Sequence, residues 1–273
     1  MKKLFFALFG VALVLLSSCS DRFNSNDPGR LVVKITDAPF PFDMIDSAAV
    51  TITKIDIRRA GDGLPDSIPP FEVIFEDTVI LNLVDLRNGV SKKLADVEIP
   101  SGKYDLVRLY VAEAMLKLTD GDSYSVKVPS GKQTGIKIFI EPALEVEGGL
   151  TEELLLDFDL SKSFVLRGNP LHNNGFIFKP VIRAVNASTA GRIAGMVTDT
   201  AKVKIKSPIV WVKQDTVVAT TVGDTLGHYA IIGLPAGTYS IFATKENYDT
   251  VSFAGVKITA GNLTIQNFVL TKK

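Results

Sequence analysis

The sequence predicts an all-β protein built as two β-sandwich domains. Three observations carry that prediction. Apolar residues fall at every second position or in short β-branched runs, clusters of Gly, Pro, Asp and Asn bound each run, and no long segment repeats with the helical period. A small-residue polar stretch, "NASTAGRIAG" at 186–195, separates two such regions, which places the domains at 31–186 and 191–273.

The chain opens with a different kind of segment. Lys2 and Lys3 precede an apolar stretch from Leu4 to Leu16 and a pair of small residues, the three parts of an export signal over 1–18. The stretch is shorter than the roughly 20 residues that span a bilayer. Leu16-Ser17-Ser18-Cys19 resembles the bacterial lipobox, and Cys19 is the only cysteine of the 273 residues. That resemblance implies a diacylglyceryl group on the Cys19 thiol, cleavage before it and acylation of the new amino terminus. Several acyl chains make such an anchor stable, since each buried methylene contributes about 0.8 kcal/mol. Ser20 follows where an inner-membrane passenger of enteric bacteria carries aspartate, so the expected address is the outer membrane. Residues 19–30, rich in Asn, Ser, Asp, Pro and Gly, read as a polar tether.

The first domain is read from the runs "LVVKITDAP", "AAVTITKIDIRR", "FEVIFEDTVILNLVDL", "YDLVRLYVAEAMLKL", "YSVKV", "GIKIFI" and "LLLDFDL". Only "VDLRNGVSKKLADV" has the makings of a short helix, and "GGLTEELLLDFD" mimics one before its last residues alternate. The second domain follows as "RIAGMVTD", "IVWVK", "TVVATTV", "HYAII", "GTYSIFAT", "VSFAGVKIT" and "TIQNFVL", which fits a small sandwich. One phrase occurs in both domains, Ile99-Pro100-Ser101-Gly102-Lys103-Tyr104 and Leu234-Pro235-Ala236-Gly237-Thr238-Tyr239. Each predicts a hairpin in which proline closes an edge, glycine takes a positive φ and tyrosine starts the outgoing strand.

Composition excludes several function classes. Thirty Lys and Arg balance thirty Asp and Glu, so no net field draws the protein to nucleic acid. One cysteine rules out an intrachain disulfide, and two histidines, His172 and His228, leave little for a zinc site. "PSGK" at 100–103 and 129–132 lacks the earlier glycine of a phosphate loop, because Val97 and Val126 stand there. No Gly-x-Ser-x-Gly elbow supports a nucleophilic serine.

Gly191 to Leu270 resembles the carboxypeptidase regulatory-like domain, a prealbumin-type sandwich. The residues that carry the resemblance are Gly195-Met196-Val197-Thr198-Asp199, Asp224-Thr225-Leu226-Gly227-His228-Tyr229, Gly233-Leu234-Pro235-Ala236-Gly237-Thr238-Tyr239 and the closing "VKITAGNLTIQNFVL". It implies no peptidase activity, because the module lies beside the catalytic domain in those enzymes. Residues 31 to 185 resemble the bacterial lipoprotein family called domain of unknown function 4382, through Thr36-Asp37-Ala38-Pro39, "VTITKIDI", "LNLVDLRNG", "IPSGKYDLVRL", "VPSGKQTGIKI", "LLLDFDLSKSF" and "FKPVIRAV". That resemblance implies an exported, non-catalytic β domain. The segment "AGDGLPDSIPP" departs from it as an inserted loop.

Three features are candidates for chemistry. Asp157 and Asp159 leave one strand face ~7 Å apart, a spacing that suits Ca²⁺ or an acid and base, with Asp37 as a third ligand if its loop folds nearby. The alternative is the solvent face of a half-buried strand. Trp211, the only tryptophan, makes a sugar-stacking platform with Tyr229, Tyr239 or Tyr248, or else belongs to the core between its valines. Asp followed by Ser or Thr and an aliphatic residue or alanine recurs at Ser47, Ser67, Thr78, Thr200, Thr216, Thr225 and Thr250. The pattern resembles the O-glycosylation sequon of one Gram-negative phylum, and Asp-Thr is also a natural way into a strand.

The sequence thus reads as an outer-membrane lipoprotein, held to the membrane through acylated Cys19, that serves as a binding or structural module toward a glycan or an envelope protein. A glycan-binding or adhesion accessory is the near alternative. A Ca²⁺-dependent or carboxylate-dependent glycoside hydrolase using Asp157 and Asp159 is the rival from another class. A deep pocket around that pair favours the enzyme, an open face the binding module.

Overall fold

The computed structural model describes residues 27–38, 45–61, 71–126, 128, 133–169 and 172–273. Cys19, the signal segment, most of the tether and Ser67 lie outside them. The first part of the chain runs β1 (Gly29–Ala38), β2 (Ile45–Arg59), β3 (Phe71–Asn82), a 3₁₀ turn (Leu83–Leu86), β4 (Lys92–Ile99), β5 (Gly102–Leu118), β6 (Ser123–Val126), β7 (Ile136–Val146), β8 (Thr151–Asp159), a one-turn helix α1 (Leu160–Ser163), β9 (Phe164–Asn169), β10 (His172–Phe178) and β11 (Ile182–Asn186). Where a short helix was expected, Asn82 caps the 3₁₀ turn through its side chain, and the chain then returns to strand at β4. The helix-like "TEELLLDFD" is β8 throughout.

Two sheets face each other in this module, in the orders β11-β8-β1-β4 and β3-β2-β5-β6, with β7 also on β5. Alternation decides which side each residue takes. Leu31, Val33 and Ile35 of β1 are fully buried, and so are Ile52, Ile55 and Ile57 of β2, in one continuous core. β1 sits inside its sheet, antiparallel to β4 and parallel to β8, with Arg30 opposite Thr151 and Asp37 opposite Phe158.

The second part runs β12 (Gly191–Asp199), β13 (Ile209–Lys213), β14 (Val217–Val222), β15 (His228–Leu234), β16 (Gly237–Thr244), β17 (Val251–Ile258), β18 (Leu263–Ile265) and β19 (Phe268–Leu270). Its sheets are β15-β12-β18, with β19 also on β12, and β14-β13-β16-β17. Val210, Val212, Ile241 and Phe268 fill a core separate from the first.

The repeated phrase has a common geometry. The Tyr104 hydroxyl donates to the Pro100 carbonyl at 2.7 Å, and the Tyr239 hydroxyl donates to the Pro235 carbonyl at 2.7 Å. Both rings are buried. Each tyrosine thereby pins the turn that precedes its strand, a corner known from other sandwiches. The expected positive φ is found at Gly102 but not at Gly237, where Gly233 upstream takes it instead.

β14 and β15 are outer strands of their sheets, and the first module packs against both. Asn88, held at φ 61°, accepts from the Ala230 amide at 2.7 Å and donates to the His228 carbonyl at 3.3 Å, so one side chain pairs with the rim of β15. Beside it, Leu155, Val185 and Ala190 form a small apolar cluster with Ile232. A Cβ on Gly89 would stand 2.8 Å from that of Ala230, and one on Gly233 would stand 2.7 Å from the Leu155 side chain. Only glycine lets the two surfaces meet this closely.

Candidate functional site

The three aspartates singled out from the sequence all lie at this joint, and each is in a different state. Asp157 projects from β8 on the face that carries Arg183 of β11, its register partner. Arg183 Nη2 donates to Asp157 Oδ2 at 2.6 Å, and Asp157 is only 8% exposed. Burial pushes its carboxyl above the usual range, against the pull of the guanidinium. Asp159 ends β8 and caps α1: its carboxylate accepts from the Lys162 backbone amide at 3.1 Å and from Lys162 Nζ at 2.6 Å. Asp37 is 5% exposed, and among the described residues neither of its carboxylate oxygens has a partner in hydrogen-bonding geometry. The Leu160 amide lies near enough to favour its charged form. Burial, followed by the charge of Asp157, nevertheless pushes its carboxyl well above the usual range.

This arrangement corrects two expectations. The face bearing Asp157 and Asp159 is not an open solvent face, because β14 of the second module stands over it. Nor do the three acids gather as ligands: among the described residues no group of three His, Cys, Asp or Glu side chains is placed to hold a metal ion. Asp157 and Asp159 each spend a carboxylate oxygen on a cation instead. What remains between the modules is a cleft of about 430 Å³, lined among others by Asp157, Asp159, Lys162, Arg183, Val217 and Thr220. A void of about 20 Å³ adjoins it, bordered by Asp37, Asp157 and Thr221, whose hydroxyl is also buried without a partner.

The aromatic platform is corrected as well. Tyr229 is 2% exposed and donates its hydroxyl to the Gln266 carbonyl at 2.6 Å, so it offers no stacking face; burial raises its phenol. Tyr239 is consumed in its corner. Trp211 stands on the outer side of its sheet, opposite the buried Val210 and Val212, and stacks on Phe242 with ring centroids 5.1 Å apart and planes 4° from parallel.

Among the Asp-Ser/Thr positions, Thr78, Thr200, Thr216, Thr225 and Thr250 are exposed and Ser47 is half-buried. The aspartates of several have a turn to hold. Asp199 Oδ1 accepts from the Ala201 and Val203 amides, and Asp224 Oδ1 accepts from those of Leu226 and His228. Burial pushes Asp224 up, but these amides and the His228 ring offset it and leave the carboxyl below its usual value.

Sequence reading missed Arg183, which pairs with Asp157 at the cleft, and Asn88, whose side chain bonds β15 across the joint. It also missed Asp56, buried on β2, whose carboxylate accepts two bonds from Arg108 of β5 and a third from the Tyr110 hydroxyl. A charged residue inside an apolar strand run was the one available signal for Asp56.

Comparison with known families matches residues 28–180, more than half of the chain, to the family described as domain of unknown function (DUF4382). The chain belongs to that family. Its DUF4382 module is followed by a carboxypeptidase regulatory-like domain over residues 192–271, in keeping with the prealbumin-like sandwich seen there. A comparison with curated proteins found no match. Among solved structures, a type II cohesin-X-dockerin complex from Acetivibrio cellulolyticus aligns at 19% identity and TM-score 0.24, over 29% of this chain and 56% of that one. The Bacillus anthracis TIE protein aligns at 11% identity and TM-score 0.27, over 92% of the DUF4382 chain and 42% of its own. The shaft pilin SpaA from Lactobacillus rhamnosus GG aligns at 10% identity and TM-score 0.28, over 90% and 98%. The DUF4382 chain thus spans about half the length of the first two, and likenesses at these scores say nothing of its role.

Proposed function

We propose that this protein is a lipid-anchored, non-catalytic binding or structural module of the cell envelope, held in the outer membrane through acylated Cys19. The observation that carries the non-catalytic part is the state of Asp157 and Asp159. The two acids of the sequence pair each give a carboxylate oxygen to a cation of their own module, Asp157 to Arg183 and Asp159 to Lys162, which favours a structural over a catalytic role for them. The lipobox resemblance at Leu16 to Cys19 supports the anchor. The exposed hydroxyls of Thr78, Thr200, Thr216, Thr225 and Thr250 are where an O-linked sugar would be carried.

Metabolic labelling with an alkyne-bearing fatty acid tests the anchor in cells. The wild-type chain should take up label and partition with the membrane, and Cys19→Ser should lose both. An unlabelled wild-type chain would remove the proposal. Protease treatment of intact cells, with lysed cells as control, then tells whether the modules face outward or toward the periplasm.

A further inference from the structure

The cleft between the modules joins two kinds of surface. It holds two ion pairs, Arg183 with Asp157 at 2.6 Å and Lys162 with Asp159 at 2.6 Å, so its charged side chains sum to zero. Arg183 gives one of its five N–H groups to Asp157, and among the described residues the others have no hydrogen-bond partner. Around these pairs stand apolar groups, the exposed Val217 and Val181 and the half-buried Val218. The volume, about 430 Å³, lies within the roughly 300–1,000 Å³ of ordinary ligand sites.

These walls narrow the choice of occupant. A charged ligand finds each cation and each carboxylate already matched by its opposite. An apolar ligand would take water from the Arg183 N–H groups and leave them unpaired, at about 1–3 kcal/mol for each group so buried. Hydroxyl groups suit both members of the pair, because each donates one hydrogen bond and accepts two. Neighbouring hydroxyls on one ring therefore meet the guanidinium and the Asp157 carboxylate together, while the C–H face of that ring lies against valine. A neutral sugar has this chemistry. The cleft also leads toward the one tryptophan of the chain. Thr220 lines the cleft and is the register partner of Trp211, and residues so paired share a face of the sheet with Cβ atoms about 4.5–5.5 Å apart. Trp211 and the Phe242 ring stacked on it are both half-buried, so part of the aromatic pair meets water.

We propose that the cleft binds a neutral oligosaccharide, with one ring between Arg183 and the valines and the next over Trp211 and Phe242. Arg183 and Asp157 hold hydroxyls of the first ring, and the aromatic pair packs on the second. This site deepens the binding-module reading and rests on it. Its test uses isolated protein, so a failure here leaves the anchor at Cys19 standing.

The full-length protein, in micelles of a detergent without a sugar headgroup, is screened on an array of neutral and acidic oligosaccharides. The neutral oligosaccharide that binds best is then titrated in solution. Because Trp211 is the only tryptophan, its emission reads the contact in the unaltered protein, and a saturable change is expected. Trp211→Ala and Arg183→Lys, followed by calorimetric titration, should each bind roughly tenfold or more weakly than wild type, a loss of about 1.4 kcal/mol or more. Lysine keeps a positive charge beside Asp157 and loses the planar fork of donors. Thermal melts show whether each variant is folded, and if Arg183→Lys is not, Trp211→Ala and the emission of the unaltered protein still decide. No neutral sugar bound, binding confined to acidic sugars, unchanged emission at saturation, or unchanged affinity in either folded variant would each overturn the proposal.

Discussion

Asp37 ends β1 opposite Phe158, with its carboxylate enclosed and unpaired. In the unfolded chain an aspartate ionises at about pH 3.9, and in the fold burial and the Asp157 charge lift Asp37 well above that. Between the two values the folded state holds a proton that the unfolded state has released. Stability therefore falls as pH rises through that window, stays lowered above it, and carries no such penalty below it. Asp37→Asn should raise the melting temperature at pH 7, and the gain should vanish as pH is taken below the ordinary carboxylate range. Thermal melts of both proteins across pH check this, and a variant less stable at pH 7 would show that the charge is compensated. At this scale the sequence was half legible. It marked Asp37, Asp157 and Asp159 as an unusual set, but Arg183 becomes visible only when β11 is laid on β8, because register is a long-range property. Trp211 teaches the reverse. Val210 and Val212 take the core side, so simple alternation already turns Trp211 outward, and grouping it with its neighbours was a misreading of the pattern.

Elements were the most legible level, since strands declare themselves by a period of two and turns by Pro and Gly. β8 was the hard case because Glu152, Glu153 and the leucines after them are good helix formers. Pairing with β1 on one side and β11 on the other overrides that preference. The recurring hairpin is the clearest gain of element over residue: a shared phrase became a shared hydrogen bond. Tyr104→Phe and Tyr239→Phe each remove the hydroxyl that pins the turn, and because Pro100 and Pro235 are exposed, so that water replaces the lost donor, the cost should be about 0.5–1.5 kcal/mol in the module concerned. Chemical denaturation of each variant measures the loss, and a change below a few tenths of a kcal/mol would mean that the corner is ornamental to stability.

Across the whole molecule the joint was the least legible feature, because Asn88 acts on a strand of the other module and nothing in "RNGV" announces it. Its positive φ is compatible with a turn alone. Asn88→Gly keeps that conformation and deletes both bonds to β15. Calorimetry should show one cooperative transition in the wild-type protein and two separated ones in Asn88→Gly, with faster proteolysis at the turn over 187–189. A single transition in the variant would assign the coupling to Leu155, Val185 and Ala190 instead. The order of the strands carries a further consequence, for the time course of folding. β1 leaves the ribosome early, yet it pairs with β4 and β8, and β12 likewise pairs with the closing β18 and β19. Each sandwich must hold one edge of its opening strand unpaired until the end of its own stretch of chain has arrived, and pairings so remote in sequence fold slowly. A nascent chain halted before β8 would hold β1 paired with β4 along one edge and open along the other, so the protein has most need of a chaperone while its first module is still incomplete.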